Sequence, residues 1–131
     1  LLGGTDFLVC VLPAAKATPW FFNLRIFSQL RKNSEIATPV FINAGRGGSQ
    51  VETDIIACLD DGTLGGVSLD VFEEEPLSAS SPLWEFPQAI VTPHIAASSD
   101  VTAIGLHVHK QILRYEAGLP LEHLVDPNLG Y

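Results

Sequence analysis

Apolar residues fall along this chain in short unbroken runs separated by helical stripes. Asp6–Leu12 (Asp-Phe-Leu-Val-Cys-Val-Leu) is apolar after its first residue, and Pro13 ends it. Val40–Ile42, Gly66–Asp70 and Ala89–Thr92 are three further short runs. Runs of this kind fit strands of a parallel sheet, buried on both faces. Phe22, Ile26, Phe27 and Leu30 recur at helical spacing, and Thr18-Pro19 ahead of them reads as a cap and first-turn proline. The pattern therefore predicts a helix running to about Leu30, with these residues as core. A second helix opens at Thr53-Asp54-Ile55-Ile56, with Thr53 as candidate cap, Ile55, Ile56 and Leu59 inward, and Gly62 closing it. A third runs from about Ser99 to Ala117 with Val101, Ile104, Val108, Ile112 and Tyr115 on one stripe, stopped by Gly118. Arg31–Thr38 reads as a loop, Pro82–Phe86 as a turn and Leu119–Tyr131 as an extended tail. No repeat or low-complexity segment interrupts the series.

Strands alternating with helices predict an α/β fold with a doubly wound parallel sheet. Composition sharpens this only a little. The chain has 131 residues, about one domain, which buries roughly two thirds of its unfolded surface. A net charge of −8 speaks against a nucleic-acid partner, and no run approaches a membrane span. Cys10 and Cys58 stand apart in apolar runs, as buried free thiols of a reducing, cytoplasmic setting. No signal peptide is evident. The chain begins at Leu1 and contains no methionine, and is expected to be a piece of something longer.

Chemistry is expected at the carboxyl ends of the strands, where open α/β sheets bind ligands. Asn43-Ala44-Gly45-Arg46-Gly47-Gly48 sets an arginine among three glycines, a turn suited to presenting a guanidinium to a carboxylate. The run from Gly66 delivers Asp70 and then three carboxylates, Glu73, Glu74 and Glu75, before Pro76. The last run delivers His94 after a proline. An arginine, a carboxylate and a histidine on one sheet edge suit reduction of a 2-keto acid. The arginine binds the substrate carboxylate, the histidine protonates the oxygen, and the acid holds the ring. His107 and His109 lie two apart and face different ways on a helix, which disfavours a metal pair, and no metal site is expected.

The runs Asn43–Gly47, Gly65–Pro76 (Gly-Gly-Val-Ser-Leu-Asp-Val-Phe-Glu-Glu-Glu-Pro) and Thr92–Ala97 (Thr-Pro-His-Ile-Ala-Ala) resemble, in order and spacing, the signatures of the D-isomer-specific 2-hydroxyacid dehydrogenases. Ser81-Pro82-Leu83-Trp84 and the ending Leu124–Tyr131 resemble the glyoxylate/hydroxypyruvate reductase A branch. The resemblance implies the C-terminal half of a Rossmann-like sheet with a long return helix: residues 1–98 as a partial NAD(P)-binding domain, 99–131 as helix and tail toward a substrate domain. It implies Arg46, Glu75 and His94 as catalytic residues, with Glu73 and Glu74 solvated. It implies Pro13, Thr18, Ala44, Gly45, Arg46, Asp70, His94, Ala96 and Ala97 on the cofactor face, Asp70 near the nicotinamide amide. NADP or NAD is the implied cofactor, with the branch leaning to NADPH, a small 2-keto or 2-hydroxy acid the substrate, and a homodimer the full-length assembly.

Two departures from the family pattern are local: Ala15 stands where a threonine is usual, and the loop at Ser34–Thr38 is longer. A third is larger. No Gly-x-Gly-x-x-Gly turn, the usual pyrophosphate cradle, occurs in these residues, so the piece alone is expected to be inactive. Glu75 argues against the formate dehydrogenases, which carry glutamine there. Phosphoglycerate dehydrogenase shares the three residues and is the nearest alternative. A nucleotide-sensing co-repressor module is the alternative of another class.

Overall fold

The computed structural model describes residues 1–13, 18–32 and 38–128. It divides into two compact units, Leu1–Ala96 and Ala97–Tyr131. Ala15 and most of the Ser34–Thr38 loop lie outside the described residues. None of the described helices is long and apolar enough to cross a membrane.

The first unit is built on a four-stranded, wholly parallel sheet of β1 (Phe7–Cys10), β2 (Val40–Asn43), β3 (Gly66–Leu69) and β4 (Ala89–Val91), adjacent in that order. The order progresses one way, as one half of a doubly wound sheet does. The register pairs Phe7 with Val40, Val40 with Gly66, and Val67 with Ala89. Side chains alternate across a sheet, so Phe41, Cys10, Val67 and Leu69 share one face. Helices α1 (Leu24–Phe27) and α2 (Glu52–Asp60) cover that face: Phe27, Ile55, Cys58, Leu59 and Phe41 are all buried, and the rings of Phe27 and Phe41 lie 5.1 Å apart. The opposite face carries Phe7, Val9 and Ile90, all more than half exposed. The expectation that the first run is buried on both faces is therefore corrected. Among the described residues of this unit, helices cover one side of the sheet only.

Helix boundaries differ from the pattern for reasons of tertiary pairing. The first helix starts at Leu24, not at Thr18. Phe22 forms a parallel bridge with Gln50, its N–H donating to the Ser49 carbonyl, which draws the chain into extended backbone. Trp20 turns it with a left-handed φ of 52°. Asn23 then caps α1, accepting from the Arg25 N–H, while Asp54 Oδ2 accepts the Leu24 N–H from across the structure at 2.8 Å. Thr53 is not a cap either. α2 begins at Glu52, and the Glu52 N–H donates to Glu73 while the Glu73 N–H returns a bond of 2.6 Å to Glu52. Glu73, expected to be merely solvated, is thus a cap supplied from the acidic loop. Burial, opposed by the Glu73 N–H, pushes the Glu52 carboxyl above its ordinary value, and the nearby Glu73 charge adds to the rise. Gly62 does close α2, at φ 76°. Both cysteines are free and buried, and burial pushes the Cys58 thiol up to about 11, with Asp61 and Asp54 adding to it.

In the second unit Asp100 caps α3 (Val101–Glu116), accepting from the N–H groups of Thr102 and Ala103. Gly118, at φ 68°, stops it. Beyond it the chain doubles back instead of staying extended. Glu122 pairs with Lys110 at 2.8 Å and Arg114 at 3.2 Å, and the Glu122 N–H donates to Gln111 Oε1. The stripe Val101, Ile104, Val108, Ile112 and Tyr115 is half or more exposed.

Candidate active site

The glycine-rich turn at the end of β2 is shaped by a buried amide network. Asn43 is fully buried, and its Oδ1 accepts the Gly45 N–H at 3.0 Å. Its Nδ2 donates to Gln50 Oε1 at 2.8 Å. Gln50, also fully buried, donates through Nε2 to the Val71 carbonyl at 3.0 Å, so this amide joins the turn to the acidic loop. Ser49 Oγ closes the turn on the Arg46 carbonyl at 2.6 Å. Gly47 lies so close to the Phe72 backbone that a Cβ would sit 1.7 Å from the Phe72 carbonyl oxygen. Close approach requires this glycine.

The network fixes the backbone of Arg46 and leaves its side chain exposed. One guanidinium nitrogen donates to the neighbouring Gly45 carbonyl at 2.7 Å. Among the described residues it forms no hydrogen bond or ion pair with Glu75 or His94.

Those two residues do meet. Glu75 Oε2 and His94 Nδ1 lie 2.8 Å apart, and Glu75 Oε1 accepts the Phe72 N–H at 3.0 Å. The His94 hydrogen bond, helped by the Phe72 N–H and opposed by partial burial, holds the Glu75 carboxyl below its ordinary value. An ionised carboxylate only accepts, so Nδ1 carries the hydrogen of this bond. Nε2 is then the nitrogen left to exchange a proton with a ligand.

Asp70 holds the loop that carries His94. Buried at 5 % exposure, its Oδ1 accepts from Thr92 Oγ1 at 2.5 Å and the Ile95 N–H at 2.9 Å, and its Oδ2 from the Ala96 N–H at 2.9 Å. Burial opposes its ionisation, but the Thr92 hydroxyl and the two N–H groups outweigh it and hold the carboxyl below its usual range. The Asp70 carbonyl also accepts the His94 N–H at 2.9 Å. His94 itself has a left-handed φ of 55°. A bulky residue in that region marks a constrained position, the kind that recurs at functional sites.

The remaining expected positions are not brought together with the Glu75–His94 pair by any hydrogen bond among the described residues. Ala44 follows β2, its N–H donating to the Cys10 carbonyl, and Gly45 packs against the Leu12 backbone. Pro13 is exposed and Thr18 half-buried, while Ala97 opens the second unit. No group of three or more His, Cys, Asp or Glu among the described residues could hold a metal ion. Asn43, Ser49, Gln50 and the capping Glu73 are the contributors that the sequence reading missed. For Ser49 and Gln50 the polar pair directly after the glycines was the hint; Asn43 and Glu73 carried none.

A family model described as D-isomer specific 2-hydroxyacid dehydrogenase, NAD binding domain, matches residues 1–96. Glyoxylate/hydroxypyruvate reductase A of Escherichia fergusonii is 38 % identical over 127 residues, 97 % of this chain and 39 % of that protein. The crystal structure of the NADPH-dependent glyoxylate/hydroxypyruvate reductase of Sinorhizobium meliloti, in complex with NADP and sulfate, superposes with a TM-score of 0.95. It is 60 % identical, over 99 % of this chain and 41 % of that one. A probable 2-hydroxyacid dehydrogenase of Rhizobium etli, in complex with NADP, HEPES and L(+)-tartaric acid, gives a TM-score of 0.90 at 50 % identity, over 99 % and 41 %. The chain thus spans about two fifths of the length of the relatives it matches.

Proposed function

The chain belongs to the D-isomer-specific 2-hydroxyacid dehydrogenase family, and on that premise we propose that the protein carrying it reduces a small 2-keto acid of the glyoxylate or hydroxypyruvate type to the 2-hydroxy acid, with NADPH or NADH. The observation that carries the reading is the 2.8 Å bond between Glu75 and His94 Nδ1, which leaves Nε2 for proton exchange at a strand's carboxyl end. The bound dinucleotide would supply the hydride that reaches the keto carbon. His94 Nε2 delivers the proton that the ketone oxygen takes up as its π bond breaks; Glu75 stabilises the imidazolium beforehand and keeps the remaining hydrogen on Nδ1 of the neutral ring afterwards. Arg46 spends one donor on Gly45 and keeps the others of its planar fork for the substrate carboxylate.

The residues present fit one side of the dinucleotide. Pro13, Ala44 and Gly45 lie at the ends of β1 and β2, where the Ala44 and Gly45 N–H groups are already engaged. Val11 and Leu12 are exposed beside them, so this edge offers apolar surface suited to a flat ring. Asp70, with Oδ2 accepting one bond, retains a lone pair for the nicotinamide amide. No Gly-x-Gly-x-x-Gly turn for the pyrophosphate occurs in this sequence. Homodimerisation and a cytoplasmic location belong to the same proposal.

Loss of NADPH or NADH absorbance on mixing the full-length protein with glyoxylate or hydroxypyruvate tests the reading. Turnover is expected. Tight cofactor binding without turnover of any 2-keto acid would overturn it in favour of a sensing module.

A further inference from the structure

Two successive peptide groups of the acidic loop are held by residues 47–52, where β2 leads into α2, and the first of them orients Glu75. The Val71–Phe72 peptide is planar, so its carbonyl and its N–H turn together. Its carbonyl accepts from buried Gln50 Nε2 at 3.0 Å, and its N–H donates to Glu75 Oε1, also at 3.0 Å. The Phe72–Glu73 peptide follows. Its carbonyl lies hard against Gly47, and its N–H donates to Glu52 Oε1 at 2.6 Å. Glu75 Oε2, on the same carboxylate that the first peptide holds, meets His94 Nδ1 at 2.8 Å. The tilt of the first peptide therefore sets the aim of Glu75 at His94, and the hold on the second limits that tilt.

Capping does not account for the Glu52 side chain. The cap of α2 is the bond from the Glu52 N–H to Glu73 Oε1, in which the Glu52 carboxyl takes no part. That carboxyl adds the return bond, and it does so partly buried beside the charge of Glu73, a placement that opposes its own ionisation. What the return bond holds is loop backbone two residues before Glu75. We propose that Glu52 is a positioning residue: its side chain holds the Glu73 N–H and, through the two peptide planes, fixes the approach of Glu75 to His94.

The test uses the full-length protein with Glu52→Ala, which removes the acceptor, and Glu52→Gln, which keeps an oxygen in its place. Two quantities are read: kcat for NADPH-dependent glyoxylate reduction per NADPH-binding site, and the Nδ1–H proton resonance of His94, assigned by its loss in His94→Ala. Glu52→Ala should lower kcat about tenfold or more with KM for NADPH kept, since a misplacement of about 1 Å can cost about 10²-fold. The same variant should move the resonance upfield or abolish it, because the carboxylate bond to that proton is loosened. Glu52→Gln should keep both close to wild type. A change that only destabilised the fold would reduce the number of NADPH-binding sites and move neither quantity. Glu52→Asp, one methylene short, takes the place of Glu52→Ala if that variant does not fold. Either quantity unmoved in Glu52→Ala, or Glu52→Gln impaired as far as Glu52→Ala, would overturn the inference and spare the reductase reading, on which the kcat readout rests. No turnover of a 2-keto acid by the wild type, with the resonance lost in Glu52→Ala, would overturn that reading and uphold the positioning role.

Discussion

Replacing Gln50 with leucine removes the amide that joins the arginine turn to the acidic loop while nearly keeping the side chain's volume. Gln50 is fully buried, accepts from Asn43 Nδ2 at 2.8 Å and donates to the Val71 carbonyl at 3.0 Å. Leucine leaves the Val71 carbonyl with no partner among the described residues, at a cost of about 1–3 kcal/mol. Asn43 Nδ2 loses less, about 0.5–1 kcal/mol, because the Arg46 carbonyl and Ser49 Oγ stand 3.4 Å from it. The total of about 1.5–4 kcal/mol corresponds, at an m of about 3 kcal/mol/M for a protein of this size, to a urea midpoint lowered by roughly 0.5–1.3 M. Far-UV circular dichroism of the full-length protein and its Gln50→Leu variant reads this directly. Freed from Val71, the turn carrying Arg46 should also shift, raising KM for the keto acid more than KM for NADPH. A midpoint lowered by less than about 0.3 M, with both KM values unchanged, would refute the reasoning.

Three further outcomes follow from the same geometry. Gly47→Ala drives a methyl into the Phe72 carbonyl and should leave little folded protein, read as loss of the cooperative unfolding transition; wild-type-like unfolding would contradict the close approach. Asp70→Asn removes charge-assisted bonds to the His94 loop and should cost about 1–3 kcal/mol at neutral pH. The folded carboxyls of Asp70 and Glu75 titrate below their unfolded values, so the stability they contribute is complete above about pH 4–5 and drains away as pH falls through the folded values. The Asp70→Asn stability curve should therefore be flatter on the acid side, and parallel curves would sink the assignment. Arg46→Lys replaces a planar fork by a point charge and should raise KM for the keto acid about tenfold, with NADPH affinity kept. Unchanged KM would remove Arg46 from the substrate site.

The sheet and the meeting of Glu75 with His94 were legible because their determinants are local. Unbroken apolar runs at Phe7–Cys10 and Val40–Ile42 mark parallel strands, and a carboxylate and a histidine at successive strand ends converge by topology alone. What was not legible depends on partners distant in sequence. Thr18 and Thr53 look like caps, yet Asn23, Asp54 and Glu73 do the capping, the last two from other elements. Pairing of Phe22 with Gln50 overrides the helical spacing of residues 19–23. Burial of Asn43 and Gln50 has no periodic signature, since each amide is tolerated only because the other satisfies it. Exposure of Phe7 and Val9 depends on what covers the second sheet face, and a run of apolar residues does not report that.

The central claim is that His94, held by Glu75, moves the proton of a keto-acid reduction. The most direct measurement is kcat for NADPH-dependent glyoxylate reduction by the full-length protein and its His94→Ala variant, beside NADPH binding to each. The account predicts a kcat lowered about 10²–10⁴-fold with NADPH binding retained. A kcat within a few-fold of wild type would contradict it.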